Sequence, residues 1–206
     1  MALAAYEVWG ARSRAATEPG LQIVETEIPG LLVLEADVAR DQRGFFIESY
    51  HERRFAELGI HDRFVQDNHS KSGRGTLRGL HYQRVRPQAK LCRVIAGQVL
   101  DVVLDIRRGS PTFGKWASRT LSSENMRTVY IPAGLAHGFL VQSEAAEFFY
   151  KCSDYYDATD QKGIAWNDPD LAIPWGITDP ILSAKDTALP RLTQVPLDEL
   201  PVWRGV

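Results

Sequence analysis

The stretch Gly75-Thr-Leu-Arg-Gly-Leu-His-Tyr-Gln-Arg-Val-Arg-Pro-Gln-Ala-Lys-Leu-Cys-Arg93 sets one histidine, His81, and the cations Arg78, Arg84, Arg86 and Lys90 among apolar, strand-like residues. Two glycines, Gly75 and Gly79, bracket Arg78. Cations lose hydration wherever they are buried, so such a cluster beside apolar strands calls for an occupant or a solvent-filled mouth. The stretch therefore predicts one wall of a pocket, with His81 as a base and Arg78 and Lys90 receiving negative charge. The other reading of the same residues is a solvated basic strand edge with one packed histidine.

Strand signals continue on both sides. Leu21–Glu27 and Leu31–Leu34 flank a Pro29-Gly30 turn, and Gly44 opens Phe45-Phe46-Ile47. Phe64–Ser72 is extended, and Gln66, Asn68 and Ser70 share one polar face that points to water or to a ligand. Lys90–Asp105 reads as two strands about an Ala96-Gly97 turn. In the second, Asp101, Val103 and Asp105 share one face, and Leu100, Val102 and Leu104 the other. Trp116–Leu121, Arg127–Ile131, Phe139–Gln142 and Glu147–Cys152 add four more short strands. Helix is sparse: His51–Leu58 ended by Gly59, and a hint at Leu197–Leu200. Many short strands with Gly/Pro turns predict an all-β sandwich or barrel. Residues 1–20 read as an N-terminal arm, and 21–206 as a single domain. Its aromatic, proline-rich end from Asp154 onward wraps the barrel.

Composition narrows the partners. A hydrophobic fraction of 44% and a formal charge of −2 suit a soluble globular protein and argue against broad nucleic-acid binding. The basic residues concentrate between Lys71 and Arg93, which suits a small anionic ligand. The two cysteines, Cys92 and Cys152, lie in apolar runs and predict free buried thiols in a reducing cytoplasm. Neither a signal-peptide core nor a run of transmembrane length is expected.

Three chemistries compete. Pro132-Ala-Gly-Leu-Ala-His137 is similar to the second half of the cupin metal motif, but the first half offers only His81. Two histidines fall short of the three protein ligands a catalytic metal needs, so no metal is expected. No Gly-x-Ser-x-Gly elbow, Gly-x-Gly-x-x-Gly or Walker loop is present, and no cofactor is expected. Metal-free acid/base chemistry needs a base, an orienting carboxylate, a proton donor and a cation at a developing oxyanion. His81, Asp186, Tyr150 and Lys90 offer these four groups. Locally, Tyr150 also suits the core, Asp186 the cap of a turn near the C-terminus and Lys90 the solvent.

Taken together the motifs resemble a known family. Gln66-Asp-Asn-His-Ser-Lys-Ser72, Leu77-Arg-Gly-Leu-His-Tyr-Gln83, Gln88-Ala-Lys-Leu91, Asp101-Val-Val-Leu-Asp-Ile-Arg107, Ile131-Pro-Ala-Gly-Leu-Ala-His-Gly-Phe139, Ala146-Glu-Phe-Phe-Tyr-Lys151, Trp166-Asn-Asp-Pro169 and Leu182-Ser-Ala-Lys-Asp186 are similar, in one order, to the dTDP-4-dehydrorhamnose 3,5-epimerases. The resemblance implies a cupin-type double-stranded β-helix (jelly-roll) barrel, metal- and cofactor-free, acting as a homodimer. It implies inversion at C3 and C5 of a dTDP-4-keto-6-deoxy sugar, with a single-centre epimerase of another such sugar as the alternative. On the resemblance, His81 is the base, Asp186 its partner, Tyr150 the acid and Lys90 the cation near the C4 oxygen. Arg78, Gln66, Asp67, Asn68 and His137 match substrate ligands, and Tyr156 the ring that stacks on thymine. Arg43 and Glu48 match nucleotide contacts, Arg43 reaching across a dimer interface, and Lys185 another substrate contact. Gln161 stands where many members carry Glu.

Overall fold

A computed structural model describes residues 21–205; the N-terminal arm expected over 1–20 lies outside them. Along the chain run β1 (Leu21–Glu25), β2 (Leu32–Ala36), β3 (Ala39–Asp41), β4 (Gly44–Phe46), α1 (Glu52–Glu57), β5 (Gln66–Gly73), β6 (Leu77–Gln83) and β7 (Lys90–Ala96). Then follow β8 (Gln98–Asp105), β9 (Trp116–Ser122), β10 (Thr128–Ile131), β11 (Leu135–Val141), β12 (Ala145–Cys152), β13 (Gln161–Gly163) and α2 (Ala184–Thr187). Short 3-10 turns at Leu192–Gln194 and Leu197–Glu199 end the chain.

The strands form two facing antiparallel sheets: a six-stranded one in the order β1-β2-β10-β7-β12-β5, and a five-stranded one in the order β13-β6-β11-β8-β9. β3 and β4 form a separate two-stranded hairpin. This is the expected jelly-roll barrel. Alternation along β8 shows how the sequence builds it: Val99 and Val103 join the core between the sheets, while Val102 and Leu104 face outward. Phe139 and Phe148 stack across that core with ring centres 4.2 Å apart. Each such buried side chain contributes about 1.5–3 kcal/mol.

Both outer faces are covered in part. Phe55 of α1, with Ile60, packs on Leu34, Leu91 and Tyr130 of the six-stranded sheet. His51 caps α1 through a bond accepted from the Arg54 N–H, and Gly59, at φ 85°, turns the chain away. Leu171, Trp175, Leu192 and Leu200 of the C-terminal segment cover Leu104, Ile106 and Ile164 on the other sheet. The Trp175 indole N–H donates to the Trp166 carbonyl at 2.8 Å, and the Trp116 indole to that of Leu171 at 2.8 Å. Both cysteines are free and buried, and burial pushes both thiols up.

One strand boundary shifts, and two short strands join those expected. β11 begins at Leu135, four residues ahead of the Phe139 expected, because Pro132-Ala-Gly134 forms only the entry turn. β3 and β13, three residues each, carry no periodic signal of their own; they exist because β4 and β6 supply partners. Among the described residues, no helix is long and apolar enough to cross a membrane.

Candidate active site

β5, β6, β7, β11 and β12 line one cavity of about 510 Å³ inside the barrel, closed on one side by the segment Ile181–Asp186. His81 enters from β6. Its Nε2–H donates to Asp186 Oδ1 at 2.5 Å, a contact between residues 105 apart in sequence. Asp186 is 4% exposed and His81 side chain 25%. Burial alone would raise the Asp186 carboxyl. The His81 hydrogen bond and charge, the Ser183 contact and the Gly79 N–H outweigh it and hold it below the usual carboxylate range. The carboxylate thus fixes the imidazole tautomer, leaving Nδ1 with no protein hydrogen-bond partner among the described residues. The expected capping role goes instead to Ser183, whose Oγ accepts from the Asp186 N–H at 3.2 Å and starts α2.

β12 brings Tyr150 and β7 brings Lys90 to the same cavity. Burial first, then neighbouring thiols, pushes the Tyr150 phenol up to about 12. Lys90 Nζ lies 6.0 Å from the Tyr150 ring. Tyr150 also packs against the inter-sheet core, so both of its local readings hold. Lys90 is half-buried in the cavity wall, not on the outer surface. Arg78, Lys90 and Lys185 face the cavity, and among the described residues only one lining carboxylate, Asp186, offsets them. It is bonded to His81. The arrangement can take a proton at Nδ1, hold an oxyanion near Lys90, donate from a phenol and receive an anionic ligand.

Asn68 and Ser70 of β5 line the cavity, so that strand's polar face meets the site and not bulk water. Gln66 acts one step back. It donates to Asn68 Oδ1 at 2.9 Å and accepts the Tyr156 backbone N–H at 2.9 Å. The Tyr156 hydroxyl donates to Gln161 Oε1 at 2.6 Å. Tyr156 is thereby held at its backbone and at its hydroxyl while the residue stays 48% exposed, a shelf at the mouth.

The structure does not bring four of the expected ligands to the wall of this cavity: Gln66, one step back, and Asp67, Arg43 and Glu48. Asp67 points to the opposite face of β5, where its carboxylate pairs with Lys151 at 2.9 Å. Arg43 pairs with Asp41 in the exposed β3–β4 hairpin, and Glu48 with Arg54 at 2.9 Å beside α1. One partner was missed: Asp101, 2% exposed, accepts from His137 Nε2 at 2.7 Å. Its inward place in the β8 alternation was the signal. His137 stands opposite His81 in the β11–β6 register, and each is tied to its own carboxylate.

The sequence profile of the family described as dTDP-4-dehydrorhamnose 3,5-epimerase matches residues 25–194. The chain is 54% identical over 161 residues to the Pseudomonas aeruginosa dTDP-4-dehydrorhamnose 3,5-epimerase, covering 77% of this chain and 89% of that protein. It is 51% identical over 180 residues to the Salmonella typhimurium enzyme of that name, covering 86% and 98%. The crystal structure of a Legionella pneumophila dTDP-6-deoxy-D-glucose-3,5-epimerase in complex with dTDP-4-keto-L-rhamnose superposes with a TM-score of 0.87 at 48% identity, covering 90% of this chain and all of that one. The chain belongs to the dTDP-4-dehydrorhamnose 3,5-epimerase family.

Proposed function

We propose that this protein epimerises dTDP-4-dehydro-6-deoxy-D-glucose at C3 and C5 to dTDP-4-dehydro-L-rhamnose. The observation that carries this reading is the single cavity shared by the His81–Asp186 pair, Lys90 and Tyr150. A carbon beside a ketone releases its proton only if the enolate is stabilised as it forms. His81 Nδ1 takes that proton, and the C–H electron pair moves into the ring as the C4 oxygen gains charge beside Lys90. Asp186 stabilises the imidazolium. Tyr150 then gives its phenolic proton to the opposite face of the carbon and regains one from water, while His81 releases its own. The same cycle at the second carbon completes the inversion.

The surplus of Arg78, Lys90 and Lys185 over one paired carboxylate fits a nucleoside diphosphate. Arg78, Asn68, His137 and Lys185 hold diphosphate and sugar, and the Tyr156 shelf receives the thymine. We further propose that residues 21–206 work as one catalytic unit, as a homodimer in the cytoplasm. Support for the dimer is the β3–β4 hairpin, which carries Arg43 and exposes Phe45 and Phe46 at 57% and 74%. The decisive test is NMR of the purified protein with dTDP-4-keto-6-deoxyglucose in heavy water. Deuterium at both C3 and C5 of an inverted product is expected. Label at one carbon alone would mark a single-centre epimerase, and no label would sink the proton-transfer mechanism.

A further inference from the structure

Several arginines of the fold rest on carboxylates: Arg107 on Asp105, Arg127 on Glu35, Arg86 on Asp154 and Arg84 on Glu199. Arg78 differs. Its Nε–H and Nη2–H donate, at 3.1 and 2.9 Å, to one hydroxyl oxygen, the Oγ of Ser72. Ser72 is 8% exposed and continues the inward row of β5 beyond Asn68 and Ser70. Among the described residues, Arg78 has no acidic partner within ion-pair distance.

We infer that Ser72 is a positioning residue that aims the Arg78 guanidinium into the cavity without neutralising it. A carboxylate at this place would fix the same two donors and cancel their charge as well. A hydroxyl fixes one edge of the planar fork, leaves the delocalised positive charge uncancelled and keeps Nη1 available to a ligand. An unheld arginine would have to give up its rotamer freedom when the ligand binds, which weakens binding by about two- to tenfold. The ligand class is the diphosphate of a nucleotide, so the inference rests on the function proposed above and adds to it a residue that never touches substrate.

The test uses the full chain with dTDP as probe, by calorimetry, beside kcat and KM for the sugar nucleotide. Ser72→Ala should raise Kd for dTDP and KM about two- to tenfold with kcat close to the parent. Ser72→Thr, which keeps the hydroxyl, should restore both. Ser72→Asp should bind dTDP more weakly than Ser72→Ala, because it holds the fork and removes the charge. A purely structural role would not rank aspartate below alanine in dTDP affinity while melting temperatures match. Parent-like dTDP binding by Ser72→Ala, or by Ser72→Asp, overturns the inference. Arg78→Ala separates the two levels. If it binds dTDP as tightly as the parent, or if the parent binds none, the nucleotide reading of this cavity fails and the role of Ser72 with it. If Arg78→Ala is weakened and Ser72→Ala is not, only the role of Ser72 fails.

Discussion

At the scale of single residues, His81 and Tyr150 divide the work by environment. A buried carboxylate holds His81 in one tautomer, and burial keeps Tyr150 protonated, with its phenol at about 12 against an ordinary 10.0. His81→Ala should abolish turnover, a loss of at least about 1,000-fold for a lone base. It should leave dTDP affinity within about threefold by calorimetry, because the cations that meet the nucleotide are untouched. Tyr150→Phe should depress epimerisation more than the initial exchange of the sugar protons with heavy water; equal losses would remove Tyr150 from the role of acid. The raised phenol also bears on stability. A neutral group favoured in the fold contributes fully below the unfolded pKa and loses that contribution as pH rises through the folded one. For Tyr150 that window runs from about pH 10 to about pH 12. Tyr150→Phe should therefore lose roughly 2 kcal/mol less than the parent across this window in denaturant titrations.

Elements matter through one close approach. β6 and β11 place His81 opposite His137, then shift register before Phe139. The strands come so near here that a Cβ on Gly138 would lie 2.7 Å from the Arg78 carbonyl oxygen. A Cβ on Gly79, at φ 117°, would lie 2.5 Å from the Gly138 Cα. Gly138→Ala must push the two strands apart or distort them, which costs about 1–3 kcal/mol. The same displacement moves both histidines, so kcat should fall even where the variant stays folded. Thermal melting read beside kcat checks this, and parent-like values of both would refute it. Most elements follow directly from residue pattern: β8 alternates as its sequence alternates, and α1 keeps Phe55 on its apolar side. β3 and β13 do not, because three residues hold too little pattern to declare a strand before a partner aligns them.

For the whole molecule, charge and assembly set the expectations. The chain is −2 overall, yet Arg78, Lys90 and Lys185 converge on one cavity. Binding of dTDP should weaken as salt rises, since part of the attraction is between charges reached by solvent. Calorimetry at low and high ionic strength reads this directly. The β3–β4 hairpin cannot be stable on the strength of two short strands in water, and its Phe45 and Phe46 have little of this chain to pack on. Phe46→Asp should shift the sedimentation of the protein from dimer toward monomer. If Arg43 completes the partner's site, KM should rise in step with dissociation. A parent that sediments as a monomer would remove the dimer from the proposal.

The sequence by itself determined the barrel and the family. Strand alternation, turn glycines and contiguous motifs are local features, and local features survive in one dimension. It also named His81, Lys90, Tyr150 and Asp186, which sit inside those motifs. Tertiary structure supplied the contact by which Asp186 reaches a histidine 105 residues away, and it alone decided that Asp101 anchors His137. It decided too that the polar face of β5 turns to the cavity while Asp67, one residue along, turns to Lys151. Pairings between distant residues are fixed by which strands lie side by side and in what register, and no periodicity within a segment encodes its neighbour across the sheet.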